Sequence, residues 1–184
     1  MFTFLIPLLI GFALNSASAF TTFFSSRLGE RGGRLACVIL RDVLGIPVWV
    51  IGYGVAALST SSQLFIPTTF TSIFAWLLIV FGALIIIAGM FSLRWKAAAP
   101  SVKDTLVDNG LYAYIRHPLY SGMYMELAGL LLWFPELSML VAVLLGMLWV
   151  WLQARFEEMD LIQRLPAYAE YMQRVPRFIP KLKN

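Results

Sequence analysis

FTSIFAWLLIVFGALIIIAGMFSL, Phe70 to Leu93, is a run of 24 residues without a single charge. About 20 apolar residues suffice for a helix to cross the hydrocarbon core of a bilayer. Nothing in a soluble domain of 184 residues calls for such a stretch. Hydrophobic residues make up 60% of the chain and charged residues only 13%, so the chain reads as a membrane protein.

Working outward, similar runs lie at Phe2 to Phe24, Cys37 to Leu58 and Leu137 to Ala154. A shorter one, Pro118 to Phe134, ends at Phe134-Pro135-Glu136, where proline breaks a helix. Pro118 to about Arg155 therefore reads as a helical hairpin. The expected fold is an all-α integral membrane protein with five transmembrane helices, followed by a cytoplasmic amphipathic segment over Phe156 to Met172, with Tyr168 and Tyr171 as interfacial anchors. It forms a single membrane domain. Residues 1–95 make a three-helix part, and residues 96–184 carry the loop, the hairpin and the C-terminal segment.

The basic residues set an expected orientation. Arg27, Arg31, Arg34 and Arg41 follow the first run; Arg94, Lys96, Lys103 and Arg116 follow the third; Arg155, Arg164, Arg174, Arg177, Lys181 and Lys183 follow the last. With five crossings all 14 fall on one side, while Ser59 to Thr69 and Pro135-Glu136 hold none. The positive-inside bias makes that side cytoplasmic and the N-terminus external. Ser16-Ala17-Ser18-Ala19 resembles a cleavage site, but no basic segment precedes it, and cleavage would strand Arg27 to Arg34 on the wrong side. A net charge of +4 is small for nucleic-acid binding. Cys37 is the only cysteine, which leaves no intramolecular disulfide and no metal-type spacing.

The chemistry concentrates in Gly110 to Gly122, which contains the only histidine, His117. Pro118 suits the first turn of a helix, so Arg116 and His117 sit at a helix N-terminus, where free amides favour an anion. Tyr120 and Tyr124 share the histidine's helical face. Two readings stand on these residues alone: an anion site, or an interfacial anchor of snorkelling arginine and tyrosines. Glu157-Glu158 is either a polar contact for a cationic ligand or a solvated charged face. Glu126 points away from His117 and reads as a structural, hydrogen-bonded carboxyl group. Gly-rich nucleotide loops and common hydrolase motifs are absent.

These residues resemble isoprenylcysteine carboxyl methyltransferases and the related phospholipid N-methyltransferases. The resemblance runs from about Lys103 to Lys181. It rests on Thr105-Leu106-Val107, Gly110 with Tyr112, Arg116-His117-Pro118-Leu119-Tyr120-Ser121-Gly122, Glu157-Glu158, Tyr168 with Tyr171, and Val175 to Pro180. It implies methyl transfer from S-adenosyl-L-methionine, bound on the cytoplasmic side, to a lipid or lipid-modified acceptor. By position, Thr105, Leu106, Val107, Tyr112, His117, Pro118, Leu119, Tyr120 and Glu157 would form the cofactor site. Arg116 and His117 are the candidate catalytic residues, and Gln153, Arg155 and Glu158 the candidate substrate contacts. The family tends to place an arginine four residues before the first glutamate, where this chain has Gln153. Leu165-Pro166 replaces the usual Phe-Gly. The implied acceptor is a prenylcysteine carboxylate or, alternatively, a phospholipid amine. A nicotinamide-dependent membrane reductase and a non-catalytic membrane subunit or transporter are readings of other classes.

Overall fold

The computed structural model describes residues 2–93 and 101–181. Arg94, Lys96 and Lys183 of the expected basic face, and the 95/96 division, lie outside the described residues. The described elements are helical: α1 (Leu5–Ala17); α2 (Thr21–Val38), which passes through a π-helical segment (Ile39–Gly45) into α3 (Ile46–Leu58); α4 (Thr69–Leu93); a 3₁₀ turn (Gly110–Ala113); α5 (Pro118–Trp133); α6 (Leu137–Arg164); and α7 (Tyr168–Arg174).

The expectation of five transmembrane helices is overturned. Three helices are long and apolar enough to cross a membrane: Thr21–Leu58, Thr69–Leu93 and Leu137–Arg164. They make this a multi-pass membrane protein. The first expected span breaks at Ser18 to Phe20, where the Ser18 hydroxyl donates to Asn15 O at 2.6 Å and Phe20 leaves helical geometry. What remains as α1 is 13 residues, about 20 Å at 1.5 Å per residue, short of a core about 30 Å thick. Helix α5, with 16 residues, spans about 24 Å on the same arithmetic. Its end is fixed by the Pro135 turn.

Two further expectations change. Helix α6 does not stop at Ala154 but runs on to Arg164, so Phe156 to Arg164 is not part of a separate surface helix. Tyr168 and Tyr171 are not interfacial anchors; both are buried, against Leu106, Leu161, Leu165 and Met172. The 38-residue stretch Thr21–Leu58 is also not straight. Gly29 has φ +71°, and the chain before it folds back so that the Thr21 hydroxyl meets the Cys37 thiol at 3.9 Å.

Packing is by antiparallel pairs. Small residues let α4 and α5 approach closely: Ala75, Gly82 and Gly89 on one helix recur every seventh residue and meet Gly122 and Gly129 on the other. Backbone approach of this kind drives helix association where lipid offers no hydrophobic contrast. The outer face of α4 carries Phe70 and Phe91, each 77% exposed, which suits contact with acyl chains. Helix α1 lies antiparallel on the π segment and α3, with Gly45 against Asn15 and Gly52 against Leu8. Phe12 stacks on Trp149 of α6 at 4.4 Å. At one end of the bundle the two turns free of lysine and arginine pair with each other. Leu64 N–H donates to Pro135 O at 2.8 Å, and Leu137 N–H to Ser62 O at 2.9 Å. The polar residues gather at the opposite end.

A Cβ at Gly122 would stand 2.5 Å from Gly82 O, whereas one at Gly54 meets nothing within 4 Å. Gly122→Val therefore costs about 1–3 kcal/mol through overpacking, and Gly54→Ala costs nothing measurable. Thermal unfolding in detergent checks this; equal midpoints for the two variants would contradict the packing.

Candidate active site

The polar end is organised around Glu158, on the last turns of α6. Its Oε1 accepts from Arg116 Nε at 3.1 Å and Nη2 at 3.0 Å, His117 Nε2 at 3.2 Å and Arg177 Nε at 3.0 Å; Oε2 accepts from Arg177 Nη2 at 2.6 Å. Glu158 is 3% exposed. A carboxylate with so little water must be fully paired, and two guanidinium groups do that. The bond to Glu158 also raises the pKa of the Arg177 guanidinium.

This ion cluster carries the chain tail across the N-terminus of α5. Arg116 Nη1 donates to Met172 O at 2.6 Å and Val175 O at 3.0 Å. The backbone N–H groups of Arg116 and His117 donate to Pro176 O and Arg177 O at 2.9 and 3.0 Å. Ser121 Oγ donates to Phe178 O at 2.7 Å. The amides of Arg116 and His117 are thus used by the tail. With Glu158 acting as acceptor only, the ring nitrogen facing it, Nε2, carries the hydrogen. His117 Nδ1 then faces Glu157 Oε2 at 3.8 Å, and the imidazole stacks on Tyr120 at 5.4 Å.

On the other side of His117 lies a cavity of about 550 Å³, within the usual size of small-molecule sites. Thr105, Leu106, Val107 and Tyr112 line one wall, and Arg116, His117, Leu119, Tyr120 and Glu157 another. Residues more than 50 positions apart are brought together here. Glu157 accepts hydrogen bonds from the Tyr120 hydroxyl and, at 3.5 Å, from Gln153 Nε2. The Tyr171 hydroxyl donates to Tyr112 O at 2.6 Å, holding the 3₁₀ turn in the wall. Burial pushes the Tyr171 phenol up to about 12 and those of Tyr112 and Tyr168 higher still, so at neutral pH all three remain donors.

Other expected site residues sit elsewhere. Pro118 is buried against α4 beside Gly89. Gln153 is 1% exposed, and its amide donates to Asn15 O at 3.4 Å. Glu158 is behind the cavity wall rather than in it. Arg155 is exposed on the far side of α6, over the Trp151 ring at 5.4 Å, so it does not supply the cation missing at Gln153.

Sequence reasoning missed several cavity residues. Arg41, Asp42 and Trp49 come from the N-terminal half; Asp160 and Arg164 come from α6. Asp160 also accepts from Thr22 N–H at 2.8 Å at the start of α2, and from Arg164 Nε at 2.9 Å. Arg41 was legible as a charge at the edge of an apolar run, but it was counted only as an orientation marker. The partner of Glu158 in the tail, Arg177, had no distinguishing signal.

Removing the shared carboxylate leaves Arg116 and Arg177 facing each other without an anion. Glu158→Ala should destabilise the protein by about 3–5 kcal/mol, as when one partner of a buried pair is lost. It should also expose the tail to trypsin at Arg174 and Arg177. Detergent-phase unfolding with a timed digest measures both; unchanged tail cleavage would contradict the clamp.

A family model described as phospholipid methyltransferase matches residues 70–168. No curated protein and no solved structure matches the chain. The matched region covers more than half of the 184 residues and includes α4, α5, α6 and most of the motif residues in the cavity wall. The chain belongs to the phospholipid methyltransferase family.

Proposed function

We propose that the protein transfers a methyl group from S-adenosyl-L-methionine to the headgroup amine of a membrane lipid. The observation that carries this reading is the meeting of Leu106, Tyr112, His117, Tyr120 and Glu157 around one cavity at the polar end of a membrane bundle.

The donor set suits that cofactor. Glu157 and Asp160 would accept from an ammonium group and ribose hydroxyls, Arg164 offers a cation for a carboxylate, and Leu106, Val107 and Trp149 supply apolar surface for a purine. The Tyr168 hydroxyl and Trp49 indole N–H, both on the cavity lining, are buried without a partner among the described residues. Buried polar groups left unpaired call for a ligand or water. When bound, the cofactor supplies a methyl group activated by a positive sulfonium.

The chain's own residues then align, dry and deprotonate. A protonated lipid amine must lose its proton before it can attack, and His117 Nδ1 is the available base. Glu158 is unsuited to that task because both of its oxygens are occupied. Glu158 instead fixes the His117 ring, and Arg116 positions the wall rather than touching the reacting atoms. Alignment and exclusion of water contribute most of the rate in a direct displacement.

A prenylcysteine carboxylate is the second acceptor to consider, because the motif resemblance includes that family. Gln153 in the arginine position and the outward-facing Arg155 favour the amine. By the positive-inside bias, the end holding Arg116, Arg164 and Arg177 faces the cytoplasm. The paired turns free of lysine and arginine, and the N-terminus beside them, face outward.

Calorimetry in detergent should detect binding of S-adenosylhomocysteine and none of NADPH. Glu157→Ala and His117→Ala should weaken it on the order of tenfold, as for one charge-assisted hydrogen bond. Labelled methyl should enter phosphatidylethanolamine in base-stable form. Base-labile label on farnesylcysteine would move the acceptor to a carboxylate, and binding of NADPH alone would defeat the methyltransferase reading.

A further inference from the structure

We infer that Arg41 is the receptor for an anionic group on the lipid acceptor, a specificity-determining residue supplied by the N-terminal half of the chain. The inference rests on the methyl-transfer reading above. It concerns a residue outside the matched region 70–168, so family membership does not supply it.

The first support is the π-helical segment Ile39–Gly45. In an α-helix, residues five apart lie about 140° apart around the axis. Bonding from i to i+5 brings such residues onto one face, and π segments often mark functional sites. Here Arg41, Ile46 and Trp49 all line the cavity. The wider turn brings a charge at the edge of an apolar helix into line with two apolar side chains.

The second support is the form of the cavity beside Arg41. Ile46 and Trp49 face Ile86 and Met90 of α4 across it, and among the described residues α3 and α4 make little direct contact. An acyl chain can lie between these apolar side chains while its headgroup stays at the level of Arg41. The indole N–H of Trp49, buried without a partner among the described residues, offers a second donor on the same wall.

The third support is how the lining cations are held. Arg116 is clamped by Glu158, and Arg164 by Asp160 at 2.9 Å and Asp104 at 3.6 Å; both side chains are about 10% exposed or less. Arg41 instead pairs with its neighbour Asp42, at 2.8 and 2.9 Å, with the two side chains 25% and 38% exposed. A partly solvated pair between neighbours is weak, and a phosphodiester or carboxylate can compete for the guanidinium fork. Arg41 is also within electrostatic reach of Glu157 and Tyr120, so an anion held there places the acceptor beside the reacting face of the cavity.

The probes are dodecylphosphate, dodecanoate and dodecanol, titrated into the full chain in maltoside micelles and followed by tryptophan fluorescence. The wild type should bind the anions on the order of tenfold more tightly than the alcohol. Arg41→Gln should erase that preference, Arg41→Lys should keep most of it, and Asp42→Asn should enlarge it by removing the competing carboxylate. The anion that gains more identifies the source, phosphate or carboxylate. A wild type without anion preference overturns the inference, as does a preference that survives Arg41→Gln or is unaltered in Asp42→Asn. S-adenosylhomocysteine binding, measured on the same samples, reports the methyl-transfer reading separately. Its absence beside an Arg41-dependent anion preference would defeat that reading alone.

Discussion

Glu158 is held by Arg116 and Arg177 and touches His117, with both oxygens used and almost no water. Buried charges are costly, and a carboxylate persists in such a place only when its partners are arranged around it. Here the partners come from three parts of the chain: the entry to α5, the end of α6 and the tail beyond α7. Their common bond draws those parts together. The tail carbonyls of Met172 and Val175 complete the Arg116 guanidinium, and Pro176 and Arg177 take the backbone donors that open α5. The result is a firm back wall, with the single imidazole presented from it.

The front of the cavity has different physics. It is built from α4, the π segment and α3, whose contact with one another is slight and whose side chains facing the cavity are mostly apolar. The back wall is ionic and rigid; the front is greasy and suited to a flexible chain. A lipid headgroup reaction needs both: one surface that fixes orientation, and another that admits hydrocarbon. The close α4–α5 contact through Gly82 and Gly122 joins the two surfaces, so packing within the membrane and geometry at the polar end are mechanically linked.

Much of this was legible in the chain itself. Apolar runs located the long helices, because an uncharged stretch such as Phe70 to Leu93 has few alternatives. Pro118 and Pro135 marked the limits of α5 through their missing donors. The motif around His117 and the carboxylate at Glu157 identified two walls of one cavity. Hydropathy could not show that Phe2 to Phe24 breaks, since the break at Ser18 to Phe20 arises from a local hydroxyl–carbonyl bond and a backbone bend rather than from polarity. Nor could it show that Tyr168 and Tyr171 turn inward: interfacial and buried tyrosines have the same spacing. Arg41 was visible as a charge, but its direction depends on a π turn with no sequence signature of its own. Arg177 became meaningful only once the tail folded back on Glu158.

The central claim is that the entry to α5 and the end of α6 form one ligand-binding wall. Amide hydrogen exchange of the detergent-solubilised chain, with and without S-adenosylhomocysteine, tests it most directly. Slower exchange appearing together in residues 104–120 and 157–171 is the predicted result. Slower exchange in only one of these segments, or in neither, would contradict it.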